Sequence, residues 1–177
     1  MKTTIKSILT ITLVMGLGIM ANAQKTSSAP ASATVLADLT IALDATQNEI
    51  AFGTLSANTP AAVVLDANGT ANANTGSVTN VAKFELGGAN SDVTVSYDAT
   101  VTLSNADVIP ATMTMTPEVV GAETDAEQET ATAVPSGSQV TLALGHYYLW
   151  VGGIIPTLVS QATGTYTGTF NIDVEYN

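Results

Sequence analysis

The chain of 177 residues has no cysteine, no arginine and a single histidine. Without cysteine it forms no disulfide, no thiolate metal site and no thiol nucleophile. One histidine, His146, is too few for a histidine-based catalytic pair or a zinc site built on several imidazoles. We therefore predict that the protein is not an enzyme and that it has no catalytic, cofactor-binding or metal-binding residues.

Positive charge is also scarce. The four basic residues, all lysine, stand against fifteen Asp and Glu residues, so the formal net charge is −11. Nucleic acid is excluded as a partner because neutralising its phosphates requires clustered Lys and Arg. An anionic membrane surface would repel the chain for the same reason.

The first 23 residues have the three parts of a secretory signal. Lys2 and Lys6 form the positive part, residues 8–20 the apolar part, and residues 21–23 (Ala-Asn-Ala) a small-residue cleavage site. The apolar run is shorter than the roughly 20 residues that span a membrane. We expect cleavage before Gln24, no membrane insertion afterwards, and a location in the periplasm, on the outer cell surface or outside the cell.

Removal of this signal leaves 154 residues, which suits one domain with a substantial core. Two lysines and fifteen acidic residues then give a formal charge of −13. Residues 24–32 are small and polar and include Pro30, which predicts a flexible arm. Residues 33–177 are the predicted domain.

The last stretch, residues 164–176, gives the clearest secondary-structure signal. Its even positions are apolar or small and its odd positions are polar. This period of two predicts a strand with one buried face. Because thirteen residues would extend about 43 Å, longer than most strands, we expect a bend near Gly168.

Similar alternation predicts further short strands, and no segment predicts a helix. The resulting pattern favours an all-β fold, a single-domain antiparallel β-sandwich, with a barrel as the alternative. The predicted strands are residues 35–43, residues 49–55, a hairpin of residues 82–86 and 93–97, residues 112–116, and a region from 140 to 151 interrupted by Gly145.

A long loop between Pro117 and Pro135 carries five carboxylates. Closely spaced carboxylates can bind Ca²⁺, but this loop lacks the alternating Asp spacing of a preformed calcium site. We predict a solvated loop. The five residues are Glu118, Glu123, Asp125, Glu127 and Glu129.

An aromatic cluster near position 150 is a candidate binding patch. Strand alternation sends His146, Tyr148 and Trp150 to one face. Exposed, these rings would suit a sugar or a partner protein; covered, they would be part of the core or pack under a loop. The sequence leaves core packing, a subunit interface and a glycan site open.

Several motifs together resemble the bacterial domain of unknown function 4402 family. The resemblance covers most of the predicted domain and implies an exported, immunoglobulin-like sandwich. The motifs are Phe52-Gly53, Phe84-Glu85-Leu86-Gly87-Gly88, Leu149-Trp150-Val151-Gly152-Gly153, the start of the last stretch from Gly164 to Phe170, and the final Val174-Glu175-Tyr176-Asn177.

The chain end is more loosely similar to pilin subunits of chaperone-usher fibres and to spore coat protein U. Tyr176 is the penultimate residue, and Gly164 is fourteenth from the end. The resemblance implies association by β-strand addition, with another copy or an assembly chaperone as partner. The candidate interface residues are Val35, Leu39, Ile41, Gly164, Tyr166, Phe170, Ile172, Val174 and Tyr176.

These expectations lead to two functional hypotheses. The first is a non-enzymatic structural or adhesive subunit of a bacterial surface layer or fibre. The alternative is a monomeric extracellular module that binds a glycan or a protein.

Overall fold

A computed structural model describes residues 27–106 and 111–177. The predicted signal, residues 1–23, lies outside the described residues. The chain divides into two units, Met1–Thr34 and Val35–Asn177. In the first unit, residues 27–34 have no helix or strand, and the second unit contains all the elements described below.

Eleven strands and one short 3₁₀-helix make up the second unit. In chain order they are β1 (Thr40–Leu43), β2 (Val63–Leu65), β3 (Ala82–Gly87), β4 (Asp92–Tyr97), β5 (Val101–Asn105), β6 (Ala111–Ala122), the 3₁₀-helix (Asp125–Thr130), β7 (Thr132–Ala133), β8 (Ser138–Thr141), β9 (His146–Ile155), β10 (Tyr166–Thr167) and β11 (Ile172–Tyr176).

The strands form two antiparallel sheets. The main sheet has the order β1-β3-β9-β6-β5-β10, with β2 also paired to β9 and β7 to β6. The small sheet has the order β11-β4-β8. Leu86 and Leu149 of the main sheet pack with Val93 and Val95 of the small sheet in one buried cluster. The prediction of an all-β sandwich is confirmed.

The predicted hairpin of β3 and β4 is wrong. β3 pairs with β1 and β9 in the main sheet, whereas β4 pairs with β8 and β11 in the small sheet. The chain crosses between the layers after Gly87. Alternation placed both strands correctly, but it does not distinguish a turn within a sheet from one between sheets.

The two strands predicted before residue 60 are wrong in extent. Only Thr40–Leu43 of residues 35–43 forms a strand. Residues 49–55 contain none, apart from an isolated bridge between Ala51 and Asn80. Gly53 has a φ of +73°, which breaks the extended conformation that the alternation predicted.

The last stretch is two strands in different sheets rather than one. β10 pairs with β5 in the main sheet, and β11 pairs with β4 in the small sheet. The expected break lies where it was predicted, since Gly168 stands between them. A Cβ atom there would be 2.5 Å from the Thr102 carbonyl oxygen, so only glycine allows this approach.

The predicted acidic loop is shorter and more ordered than expected. β6 continues through Ala122, so Pro117 and Glu118 lie in a strand. The remaining acidic residues fall before or within the 3₁₀-helix, whose presence corrects the expectation of no helix. Pro117 predicts the end of a strand, yet it lies within β6 and pairs with Gly153 of β9.

Candidate functional site

A groove opens where the small sheet stops covering the main sheet. Its volume is about 960 Å³. Two mostly irregular segments, residues 48–57 and residues 161–170, the latter including β10, line it together with apolar side chains from the main sheet and from the segment after β9. We call it the lateral groove. Its apolar lining includes Phe84, Val101, Leu103, Met115, Ile155 and Leu158.

Phe170 separates the lateral groove from the core between the sheets. Its ring centroid lies 6.3 Å from that of Phe84 and 5.8 Å from that of Tyr97. It packs against both buried clusters of the protein. The groove therefore borders the core, and four of the residues that line it, Val101, Met115, Ile155 and Leu158, are themselves buried.

The two lips of the groove leave backbone groups unpaired. Within residues 27–106 and 111–177, no backbone hydrogen bond outside the strand ladders involves residues 53–56 or residues 169 and 170. Such a row of free donors and acceptors is the feature by which an exposed strand edge recruits another chain. The lips could therefore pair with an extended backbone.

The groove lining is almost without charge. Among the described residues that line it, Glu49 is the single ionisable acid, and no lysine is present. Hydroxyl and amide side chains of the two irregular segments surround the apolar floor. This composition suits an uncharged segment with apolar side chains directed inward.

The candidate interface residues fall into three places. Gly164, Tyr166 and Phe170 line the lateral groove. Val35 lies outside any strand and is 93% exposed. The others pack against the core between the sheets, and they are Leu39, Ile41, Ile172, Val174 and Tyr176.

The two sheet edges differ in charge. β1 is an edge of the main sheet, and its four residues carry no charge. β11 is an edge of the small sheet and presents Asp173 and Glu175 on its exposed face. Charged residues on an edge strand oppose pairing with an identical edge. Pairing of two β11 edges is therefore disfavoured, whereas β1 has no such protection.

Tyr176 ties the chain start to the crossing between the sheets. Its hydroxyl donates to the Ala37 carbonyl oxygen over 2.9 Å and accepts from the Ala89 N–H over 2.7 Å. A side chain at Gly88 would overlap this hydroxyl. The sequence shows Tyr176 as a penultimate aromatic but does not predict this role, because neither partner is near it in sequence.

The predicted aromatic patch is not an exposed platform. His146 is exposed and Tyr148 is half-buried, but Trp150 is only 1% exposed. Alternation is correct, since Trp150 packs in a different cluster from Leu149 and Val151. Of the alternatives that the sequence left open, the burial of Trp150 agrees with packing in the core or under a loop.

The 3₁₀-helix and the turn after β2 form the cover over Trp150. Gln128 donates from its side chain to the Ala67 carbonyl over 2.9 Å. Asn68 donates to the carbonyls of Gln128 and Ala131 over 2.8 and 3.0 Å. Ala67 and Trp150 belong to the same buried cluster. The acidic segment, predicted to be a solvated loop, therefore makes hydrogen bonds that hold it against the turn after β2.

Lys83 is a structural cation rather than part of a basic site. Its ammonium group lies 2.9 Å from Asp125 and 3.1 Å from Asp44. The hydrogen bond to Asp125 raises its pKa, against burial and together with Asp44. The pKa of Asp44 is lowered by hydrogen bonds from the Gln47 N–H and from Thr46, with Lys83 contributing further. The three side chains link the turn after β1 to β3 and to the 3₁₀-helix.

Asp66 organises a turn instead of a metal site. Its carboxylate accepts from the N–H groups of Asn68, Thr70 and Ala71 and from the Thr70 hydroxyl. Burial acts to raise its pKa, but these hydrogen bonds outweigh burial, so the pKa lies below the ordinary value. No cluster of three or more metal-ligating side chains occurs among the residues that the structure describes.

Comparison with known proteins identifies a family. A search of the curated proteins found no match. In the described ranges, no helix has the length and apolar character needed to cross a membrane. The profile of the family described as Domain of unknown function (DUF4402) matches residues 39–176, which include every strand above. The chain belongs to the DUF4402 family.

Proposed function

We propose that the protein is an exported, non-enzymatic structural or adhesive subunit of a bacterial surface layer or fibre, and that it associates by β-strand addition at the lateral groove. The observation that carries this proposal is the pair of unpaired lips beside an apolar floor. Main-chain hydrogen bonds to a lip would supply affinity, and inward side chains would set the register.

The charge of the protein supports the groove as the contact. Copies with a large net negative charge repel one another. An interface that contains one carboxylate adds little to this repulsion, whereas β11 would add four carboxylates if two copies paired through it. The repulsion acts over about 10 Å at 0.1 M salt. Association should therefore strengthen as salt is raised.

The alternative hypothesis of a glycan-binding module required exposed aromatic rings. Trp150, the largest of them, is 1% exposed and packs in a cluster with Leu65 and Ala67. The burial of Trp150 therefore supports the subunit over the glycan-binding form of the alternative.

Sedimentation velocity and negative-stain microscopy of the exported chain test the proposal across protein concentration and salt. We expect oligomers that grow with salt. Leu103→Glu puts a carboxylate into the groove and should abolish them, whereas Val78→Glu adds the same charge at a side chain that is 79% exposed and should not. Circular dichroism and urea unfolding would confirm that both variants fold. A wild-type chain that stays monomeric under all conditions, with secreted proteins of its host present, would overturn the proposal.

A further inference from the structure

We infer that the occupant of the lateral groove is residues 31–36 of a second copy of this chain, and that copies join head to tail. This inference rests on the proposed function. It deepens that proposal by naming the partner, the segment and the polarity of assembly.

The composition of residues 31–36 matches the groove. The segment reads Ala-Ser-Ala-Thr-Val-Leu and carries no charge. Ala31, Ala33 and Val35 alternate with Ser32 and Thr34, so one face of an extended conformation is apolar. Val35 is the most exposed of the large hydrophobic residues in the described part of the chain. An extended segment of six residues spans about 20 Å.

The donor does not remove a strand from its own fold. β1 begins at Thr40 and pairs with β3, and both Leu39 and Ile41 pack into the core. The Tyr176 hydroxyl holds Ala37. From Ala37 onward the chain therefore contacts its own sandwich, whereas the segment before Ala37 could bind another copy. The donor is therefore residues 31–36, which overlap the predicted strand of residues 35–43 only at Val35 and Leu36.

The direction of β1 argues for a second copy over the same chain. Thr40 pairs with Gly87, at the end of the sandwich where the chain crosses between sheets, and Leu43 pairs with Phe84. Leu43 and Phe84 line the lateral groove. The chain therefore runs toward the groove along β1, so the preceding segment starts from the opposite end. To enter its own groove it would have to reverse direction within residues 37–39.

Donation from one end into a groove near the other end is a heterologous contact. The surfaces on the two partners differ, so each copy has one segment to give and one groove to fill. Such contacts produce open linear assemblies unless the rotation between copies closes a ring.

Cysteine cross-linking tests the inference cleanly because the chain has no cysteine of its own. Val35→Cys and Thr169→Cys would be made in separate, differently tagged chains and mixed under conditions in which the wild type associates. We expect a cross-link between the two tags. Gln139→Cys, on the exposed face of β8, replaces Thr169→Cys as the matched control and should give no cross-link with Val35→Cys.

The outcomes separate this inference from the proposed function. Association without the Val35–Thr169 cross-link, but with a cross-link between two Ala42→Cys chains, means that β1 edges pair; strand addition then survives, but both the lateral groove and the donor are wrong. Association that persists after deletion of residues 27–36 also overturns the donor. Absence of association in the wild type overturns both.

A charge variant gives a quantitative check. Val35→Asp would place an unpaired carboxylate in the apolar groove, and we expect association to weaken roughly tenfold or more. Val78→Asp adds the same charge at a comparably exposed valine and should weaken association less than twofold. Equal effects of the two substitutions would mean that only net charge matters, which would overturn the assignment of the donor.

Discussion

The hydroxyl of Tyr176 donates a hydrogen bond to the carbonyl oxygen of Ala37 across 139 positions of sequence. Because the same hydroxyl accepts from the Ala89 N–H, Tyr176→Phe removes two bonds and leaves the ring in the core. Each is worth about 1 kcal/mol, so we expect a loss of about 2 kcal/mol in the free energy of unfolding. Urea unfolding would measure it.

Tyr166→Phe is the matched control, since its hydroxyl also donates to a carbonyl, that of Ala162, and accepts from a side-chain amide, that of Gln161. Both variants should lose stability, but only Tyr176→Phe should speed hydrogen exchange at residues 37–43. Equal exchange in the two variants would show that Tyr176 does not hold the start of β1.

Asp66 should make the protein sensitive to acid. Its pKa is lowered in the folded state, so its contribution to stability is complete above the ordinary value of 3.8 and is lost as pH falls through the folded value. Asp66→Asn should lower the free energy of unfolding at pH 7 and flatten its decline below pH 4. Urea unfolding at several pH values would check this.

Asp173→Asn serves as the comparison for Asp66→Asn. Asp173 is exposed on β11, and its side chain makes no hydrogen bond in the described ranges. This variant should show the same decline in unfolding free energy below pH 4 as the wild type. If Asp66→Asn also showed the wild-type decline, the role given to the Asp66 turn would be contradicted.

Asn68 should control access to Trp150. Asn68→Ala leaves the carbonyls of Gln128 and Ala131 without their donor, which should loosen the 3₁₀-helix over the indole. We expect Trp150 emission to shift to longer wavelength and acrylamide quenching to increase. Asn58→Ala, which loses a bond from the Ser160 N–H but leaves the bonds of Asn68 intact, should leave the spectrum unchanged. Equal quenching in the two variants would show that the hydrogen bonds of Asn68 do not limit solvent access to Trp150.

Gly152 marks a close approach of two backbones. A methyl group there would overlap the Leu65 carbonyl oxygen and lie 2.9 Å from the Ala67 nitrogen. Backbone atoms cannot move aside as a side-chain end can, so Gly152→Ala should cost about 3 kcal/mol of unfolding free energy. Gly137→Ala, which meets no atom within 4 Å but has a φ of +83°, should cost about 1 kcal/mol. Thermal unfolding would rank the two, and a mild effect at Gly152 would contradict the geometry.

Strand positions were predictable where alternation coincided with hydrogen bonding. β3, β4 and β11 each present apolar residues at every second position, and each occurs where that pattern placed it. Alternation reports which side of a strand is buried. It does not report which strands pair, so the layer change after Gly87 was not predicted, and the division of the last stretch at Gly168 was predicted only as a bend.

The lateral groove was not predicted because it is defined by missing pairing. Residues 49–55 satisfy the alternation rule, yet part of their backbone stays unpaired and lines the groove. Trp150 was placed on the correct face, but its burial depends on contacts between residues 67–68 and 128–131, about 60 positions apart. No local pattern contains such information.

The position of β9 has a consequence for the order of folding. This strand pairs with β2, β3 and β6, yet it ends only at residue 155 of 177. During synthesis, β2, β3 and β6 therefore lack their β9 partner until most of the polypeptide has emerged from the ribosome. Folding that depends on so late a strand is slow to begin, and the waiting chain is open to chaperones and proteases.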